Sequence, residues 1–94
     1  MGEESDLIAR HVEADPNRPG PGDVRLVASA VPVWTVIGQL LASGWRIDEV
    51  AADYAIPAEE VAAAIAYYRQ NRGAVDARLA ANSGAPVPSL AGVP

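Results

Sequence analysis

Apolar residues change their rhythm along this chain, and the changes divide it into elements. Val33, Val36, Ile37, Leu40 and Leu41 stand at i, i+3, i+4, i+7 and i+8, one stripe of a helix. Ser43 and Gly44 end it. Ile47, Val50, Ala51 and Tyr54 repeat the spacing over a shorter helix, after which Ala55, Ile56 and Pro57 turn the chain. Pro57 suits the first position of a third helix, where its missing N–H is no loss. In that helix Val61, Ile65 and Tyr68 form the inward stripe, with Glu59 and Glu60 in the first turn and Arg69 and Arg72 at the far end, the signs that complement a helix dipole. Val31 to Asn71 therefore reads as a helix-turn-helix. Val75 and Leu79 carry a helical stripe on to about Asn82, past a Gly73 that caps or kinks it, so the spacing predicts one long helix with a weak point, or two.

Upstream the pattern is weaker. Leu7 to Glu13 has no clean period and is read as a short strand in preference to a turn of helix. Asp15 to Asp23 holds Pro16, Pro19, Pro21, Gly20 and Gly22, which makes it a loop. Val24 to Val31 reads as a half-buried strand that stops before Pro32. Met1 to Asp6 is polar and acidic, a segment expected to fray, and Ser83 to Pro94 combines Pro and Gly with no charge, a composition expected to be disordered. The expected fold class is mainly α: a three- to four-helix helix-turn-helix core over residues 7–82, with a short N-terminal β ribbon and a disordered C-terminal tail.

Ninety-four residues, half of them apolar, are enough for one small core and no second one. A chain this small often gains stability by pairing, so a homodimer is the expectation. Seven arginines, no lysine and twelve carboxylates give a formal charge of −5, which works against free nucleic-acid binding, because that affinity comes from basic side chains displacing counterions from phosphate. Cysteine is absent and His11 is the one histidine, so thiolate zinc sites are excluded and no cofactor is expected. The longest apolar run, Val31 to Ala42, is too short for a bilayer and is amphipathic, while the N-terminus is acidic where a signal peptide is basic. A cytoplasmic protein with no membrane contact is expected.

Candidate chemistry is sparse. No nucleophile and base, no metal-ligand spacing and no phosphate loop stand out, so no enzyme is expected. His11 is read as a surface or ribbon-packing residue, and Asp48, Glu49, Asp53, Glu59 and Glu60 as solvated helix faces rather than a metal cluster. Arg10, Arg18 and Arg25 give the ribbon and loop most of their positive charge and are the first places to look for nucleic-acid contact. Trp34 and Tyr67 fall off the main stripes, and with Leu90 in the tail they are candidates for a dimer or partner interface; Trp45 is expected to cover the turn. The third helix would offer DNA Ala58, Glu59, Glu60, Ala62 and Ala63, a poor set for a reader of phosphate-flanked bases.

Pro32-Val33-Trp34, the Gly44-to-Tyr54 stretch, and Tyr67-Tyr68 followed by Asn71-Arg72 and Val75-Asp76 occur in an order that resembles the DUF433 family of small bacterial proteins, over roughly Leu7 to Ala81. Asp15-Pro16 and Val31-Pro32-Val33 stand where that family has Asp-Pro and Ile-Pro-Val. Where it has a Gly-Gly-Lys-Pro loop this chain has Pro19-Gly20-Pro21-Gly22, and where it has Gly-Thr-Arg this chain has Ala28-Ser29-Ala30, which removes two basic side chains. Arg46 and Pro57 replace the Ser or Thr that often opens the second and third helices; a lost side-chain cap typically costs about 1 kcal/mol. The resemblance implies a helix-turn-helix core behind a β segment, and an antitoxin-like function: a homodimer that neutralises a PIN-like ribonuclease toxin, with operator DNA bound weakly alone and more firmly in complex.

Overall fold

The computed structural model describes residues 2–83. Helices dominate: α1 (Glu3–His11), α2 (Val33–Ser43), α3 (Ile47–Tyr54), α4 (Ala58–Gln70) and α5 (Arg72–Ser83), with a two-stranded antiparallel ribbon of β1 (Val12–Glu13) and β2 (Arg25–Leu26) between α1 and α2. The ribbon pairs Val12 with Leu26 and Glu13 with Arg25. The predicted mainly α architecture with an N-terminal ribbon is the one observed. The expected disorder of the tail, and Leu90 within it, lie outside the described residues.

The N-terminus departs from expectation. In place of a strand from Leu7, α1 runs from Glu3 to His11, and strand structure begins only at Val12. Glu3, Glu4 and Asp6 fill its first turn and Arg10 and His11 its last, so both ends oppose the helix dipole favourably. Nine residues are too few to hold a helix in water alone. What holds α1 is α4, along which it lies, with Ile8 packed on the core. Arg69 reaches Glu4 at 2.5 Å near one end and His11 reaches Glu59 at 2.5 Å at the other.

The second predicted strand is likewise shorter. After Leu26 the chain turns through Ala28, Ser29 and Ala30, whose φ of 61° is left-handed, and returns so that Leu26 donates to the carbonyl of Val31 at 2.9 Å. Small residues at the turn permit this, and Ser29 Oγ accepts from Val31 N at 3.3 Å. The expected loop is pinned down rather than loose. The Tyr67 hydroxyl donates to the Pro21 carbonyl, and Arg78 Nε donates to Asp23 Oδ1 at 2.7 Å. Asn17 N donates to Asp15 Oδ1 at 2.8 Å, which shapes the start of the same loop.

The core is the meeting of the predicted stripes. Val33, Val36, Ile37 and Leu40 of α2, Val50 of α3, Val61 and Tyr68 of α4 and Val75 of α5 are buried together with Leu26. Gly44 closes α2 in the left-handed conformation, φ 77°, and lets Trp45 N donate to the Leu40 carbonyl at 2.7 Å. Pro57 stands just before α4 as its cap residue, one position earlier than expected. Ile47 and Ile65 leave their stripes: Ile47 is 37% exposed and Ile65 half-buried. The break after α4 falls at Asn71, not at Gly73. Asn71 adopts φ −136°, ψ 40°, and both its N–H and its side-chain amide donate to the Tyr67 carbonyl, at 2.9 and 3.1 Å.

Candidate interaction surfaces

In a helix-turn-helix the second helix of the pair must be free to enter a groove. Here that helix is α4, and it is the most enclosed element of the fold. Glu60, Val61, Ala63, Ala64, Ala66, Tyr67 and Tyr68 are buried, with α1, α2, α3 and α5 packed around it. Its alanines let those neighbours approach closely. The first turn, which would read bases, is engaged within the chain. Arg10 Nη1 and His11 Nε2 both meet Glu59 Oε2, at 3.3 and 2.5 Å. The His11 hydrogen bond, followed by the His11 and Arg10 charges, holds the Glu59 carboxyl below its usual value against the opposing effect of burial. Glu60, expected on a solvated face, is only 5% exposed and accepts from Ser29 Oγ at 3.2 Å.

The three arginines proposed for nucleic-acid contact are dispersed among carboxylates. Arg10 serves Glu59. Arg25 Nε donates to Glu13 Oε2 at 2.8 Å across the ribbon. Arg18 pairs through its backbone with Asp15 and lines a depression that also contains Asp23, Trp34 and Arg78. Among the described residues no group of three or more His, Asp or Glu is arranged to hold a metal ion, and no helix is long and apolar enough to cross a membrane.

Of the aromatic candidates, Trp34 is half-buried against the core, with the Arg78 guanidinium 4.4 Å above its ring. Tyr67 is not an exposed anchor: it is 8% exposed, and burial raises its hydroxyl above the ordinary tyrosine value. It belongs to the buried core cluster, and its hydroxyl reaches the loop at Pro21. Trp45 does cover its turn, and its ring lies 6.2 Å from that of Tyr68. Tyr68 in turn donates to Asp76 Oδ1 at 2.8 Å; burial first, then that bond, push its hydroxyl up to about 12.

The pattern of stripes gave no warning of a surface around Ile47. Trp45, Ile47, Ile65, Tyr68, Arg69 and Arg72 line a shallow depression of about 340 Å³. Ile47, Ile65 and Arg69 also line a neighbouring one with Glu4, Leu7 and Ala62, and Trp45 and Ile47 a third with Arg46, Asp48 and Glu49. An isoleucine directly after a polar turn, at the first position of a helix with Asp and Glu beside it, was the available signal.

A family model described as a protein of unknown function, DUF433, matches residues 12–68. The matched span begins at β1 and ends within α4, so α1 and α5 flank it. No match to a curated protein or to a solved structure was found.

Proposed function

The chain belongs to the DUF433 family, and we propose that within it this protein is an antitoxin-type protein-binding module of the cytoplasm, acting on a PIN-like ribonuclease toxin. The observation that carries the reading is the covering of α4. With seven of its thirteen residues buried, the helix exposes only Ala58, Glu59, Arg69 and Gln70, and Glu59 is already engaged by Arg10 and His11, a poor face for a DNA groove. Proteins that do not read DNA with this motif use its compact three-helix core as a support for contacts to other proteins. A formal charge of −5 without any lysine favours a basic partner, and a nuclease, which must attract RNA, presents that sign. Repression of its own operon follows as a secondary activity that the toxin complex supplies.

Co-expression with the product of the adjacent gene tests the reading. A stable complex in which ribonuclease activity is suppressed is the expected result; an adjacent product that neither binds nor cleaves RNA refutes it. A second reading, a stand-alone DNA-binding regulator, draws on the α3–α4 turn. It requires a mobility shift of the promoter fragment by the isolated protein at moderate salt, where we expect none.

A further inference from the structure

Among the described residues, α1 is the one helix without a buried side chain. Both it and α5 flank the matched family span, but α5 is anchored through the buried Val75 and through Arg78 on Asp23. The charged ties of α1 stand in solvent. Glu4 and Arg69 pair with their side chains 40% and 63% exposed, and Arg10 and His11 share a Glu59 that is 51% exposed. Pairs this open to water hold weakly. Ile8 adds an apolar contact with the core without being buried. Beneath α1, Glu59, Ala62, Ala66 and Arg69 share one face of α4 at i, i+3, i+7 and i+10. Leu7 lines one depression with Ala62, Ala66 and Arg69 and another with Glu59. Because Glu4 meets Arg69 and His11 meets Glu59, α1 runs antiparallel to α4. Its other end is fixed to the ribbon, where Val27 N donates to the His11 carbonyl at 2.8 Å.

We propose that α1 is an autoinhibitory strap. It lifts from α4 about the junction of His11 and Val12 while the rest of the fold stays intact, and the face it uncovers takes an amphipathic helix of the protein partner in its place. Nine residues do not hold a helix in water alone, so a lifted α1 unfolds and regains the entropy that docking removed. The chemistry of the occupant is that of α1 itself: a carboxylate in its first turn for Arg69, aliphatic side chains over Ala62 and Ala66, and a cation in its last turn for Glu59. As an attached competitor at high effective concentration, α1 raises the affinity that a partner must bring. The proposal rests on the protein-binding reading above and adds to it the contact face and its gate.

Hydrogen exchange of the full chain, followed by mass spectrometry in urea below the unfolding transition, tests the strap. The amides of residues 6–11 should exchange at least about tenfold faster than those of residues 61–68, and at a rate indifferent to urea, because a local opening exposes little surface. Glu4→Arg and Arg69→Glu should each speed exchange in α1 by about fivefold, and the double variant should restore the native rate. Titration calorimetry with the product of the adjacent gene tests the gate. Ile8→Ala loosens the strap without changing the uncovered face or the net charge, and should bind that product about tenfold more tightly than the native chain does. Exchange in α1 that follows urea as α4 does, or a double variant that fails to recover, overturns the proposal. Equal binding by the native and Ile8→Ala chains overturns it while the toxin reading stands; no binding by either chain overturns both. An Ile8→Ala chain that shifts promoter DNA and ignores the protein overturns it in favour of a DNA-facing α4.

Discussion

Gly22→Ala is the substitution with the sharpest structural expectation. A Cβ added at Gly22 would lie 2.8 Å from the Ala74 carbonyl oxygen and 3.3 Å from Arg78 Cβ. The first of these atoms belongs to the backbone of α5, so no rotamer change relieves the clash; either the loop or the helix must move. Overpacking of this kind costs about 1–3 kcal/mol. In a domain of this size each kcal/mol lowers the melting temperature by about 4–8 °C. Gly38→Ala supplies the comparison. There the new Cβ would come within 3.2 Å of Leu79 Cδ2, the end of a side chain that can give way, and alanine is about 1 kcal/mol better than glycine inside a helix. The second variant is expected to be neutral to mildly stabilising. Urea unfolding followed by tryptophan fluorescence, with equal m-values for all three proteins, measures both. If Gly22→Ala unfolds within 0.5 kcal/mol of the native chain, roughly the spread of an ordinary surface change, the loop does not press on α5 and the packing argument is wrong.

Ser29→Ala strips the buried Glu60 side chain of its hydroxyl donor and should cost about 1–3 kcal/mol by the same unfolding assay; a smaller loss would mean that Glu60 has other support. For Glu59, carboxyl titration by NMR should give a value below the ordinary 4.5, and His11→Asn should return it towards that number. The stabilisation from this lowered carboxyl is present above the ordinary carboxylate value and is lost as pH falls through the folded one, so His11→Asn should flatten the acid side of the stability profile. Tyr68, raised to about 12 from 10.0, works in the opposite direction: its contribution is intact below pH 10 and disappears as pH climbs through the folded value. Ultraviolet absorbance of tyrosinate should therefore show a late phase that Tyr68→Phe diminishes, leaving the part that the raised Tyr67 hydroxyl contributes.

The helices from Val33 to Gln70 were legible because their burial follows local spacing: Val36, Ile37, Leu40, Val50 and Val61 face the core where the period puts them. What was not legible depends on partners distant in the chain. Helix α1 is held by Arg69 and Glu59, 65 residues from Glu4 and 48 from His11, and only the charges at its two ends hinted at a helix. Glu60 looked like a solvated first-turn acid because nothing local shows that Ser29, 31 residues earlier, stands against it. Tyr67 looked exposed because a stripe drawn against one neighbour ignores the loop that closes over another face. Ile47 failed in the opposite sense, since the first residue of a helix obeys the turn before it more than the stripe after it. The same dependence holds for the depressions around Ile47: their residues come from the turn before α3 and from α3, α4 and α5, and only folding brings them around one isoleucine.

The pinning of the Asp15–Asp23 loop has a consequence for the order in which the molecule assembles. Its two ties, Tyr67 to Pro21 and Arg78 to Asp23, join positions 46 and 55 residues apart, whereas α3 and α4 meet across a short turn. Contacts with such high sequence separation close large entropic loops and reward the chain only after both ends are in place. By this measure the loop sets late, as do the ties of α1 to α4, onto helices α2 to α4 that meet across short turns. Interactions absent from the transition state govern the rate of unfolding rather than of folding. Tyr67→Phe and Arg78→Gln should accordingly leave the refolding arm of the chevron in place and lift the unfolding arm, which makes this proline-rich loop the clasp that sets the lifetime of the native state.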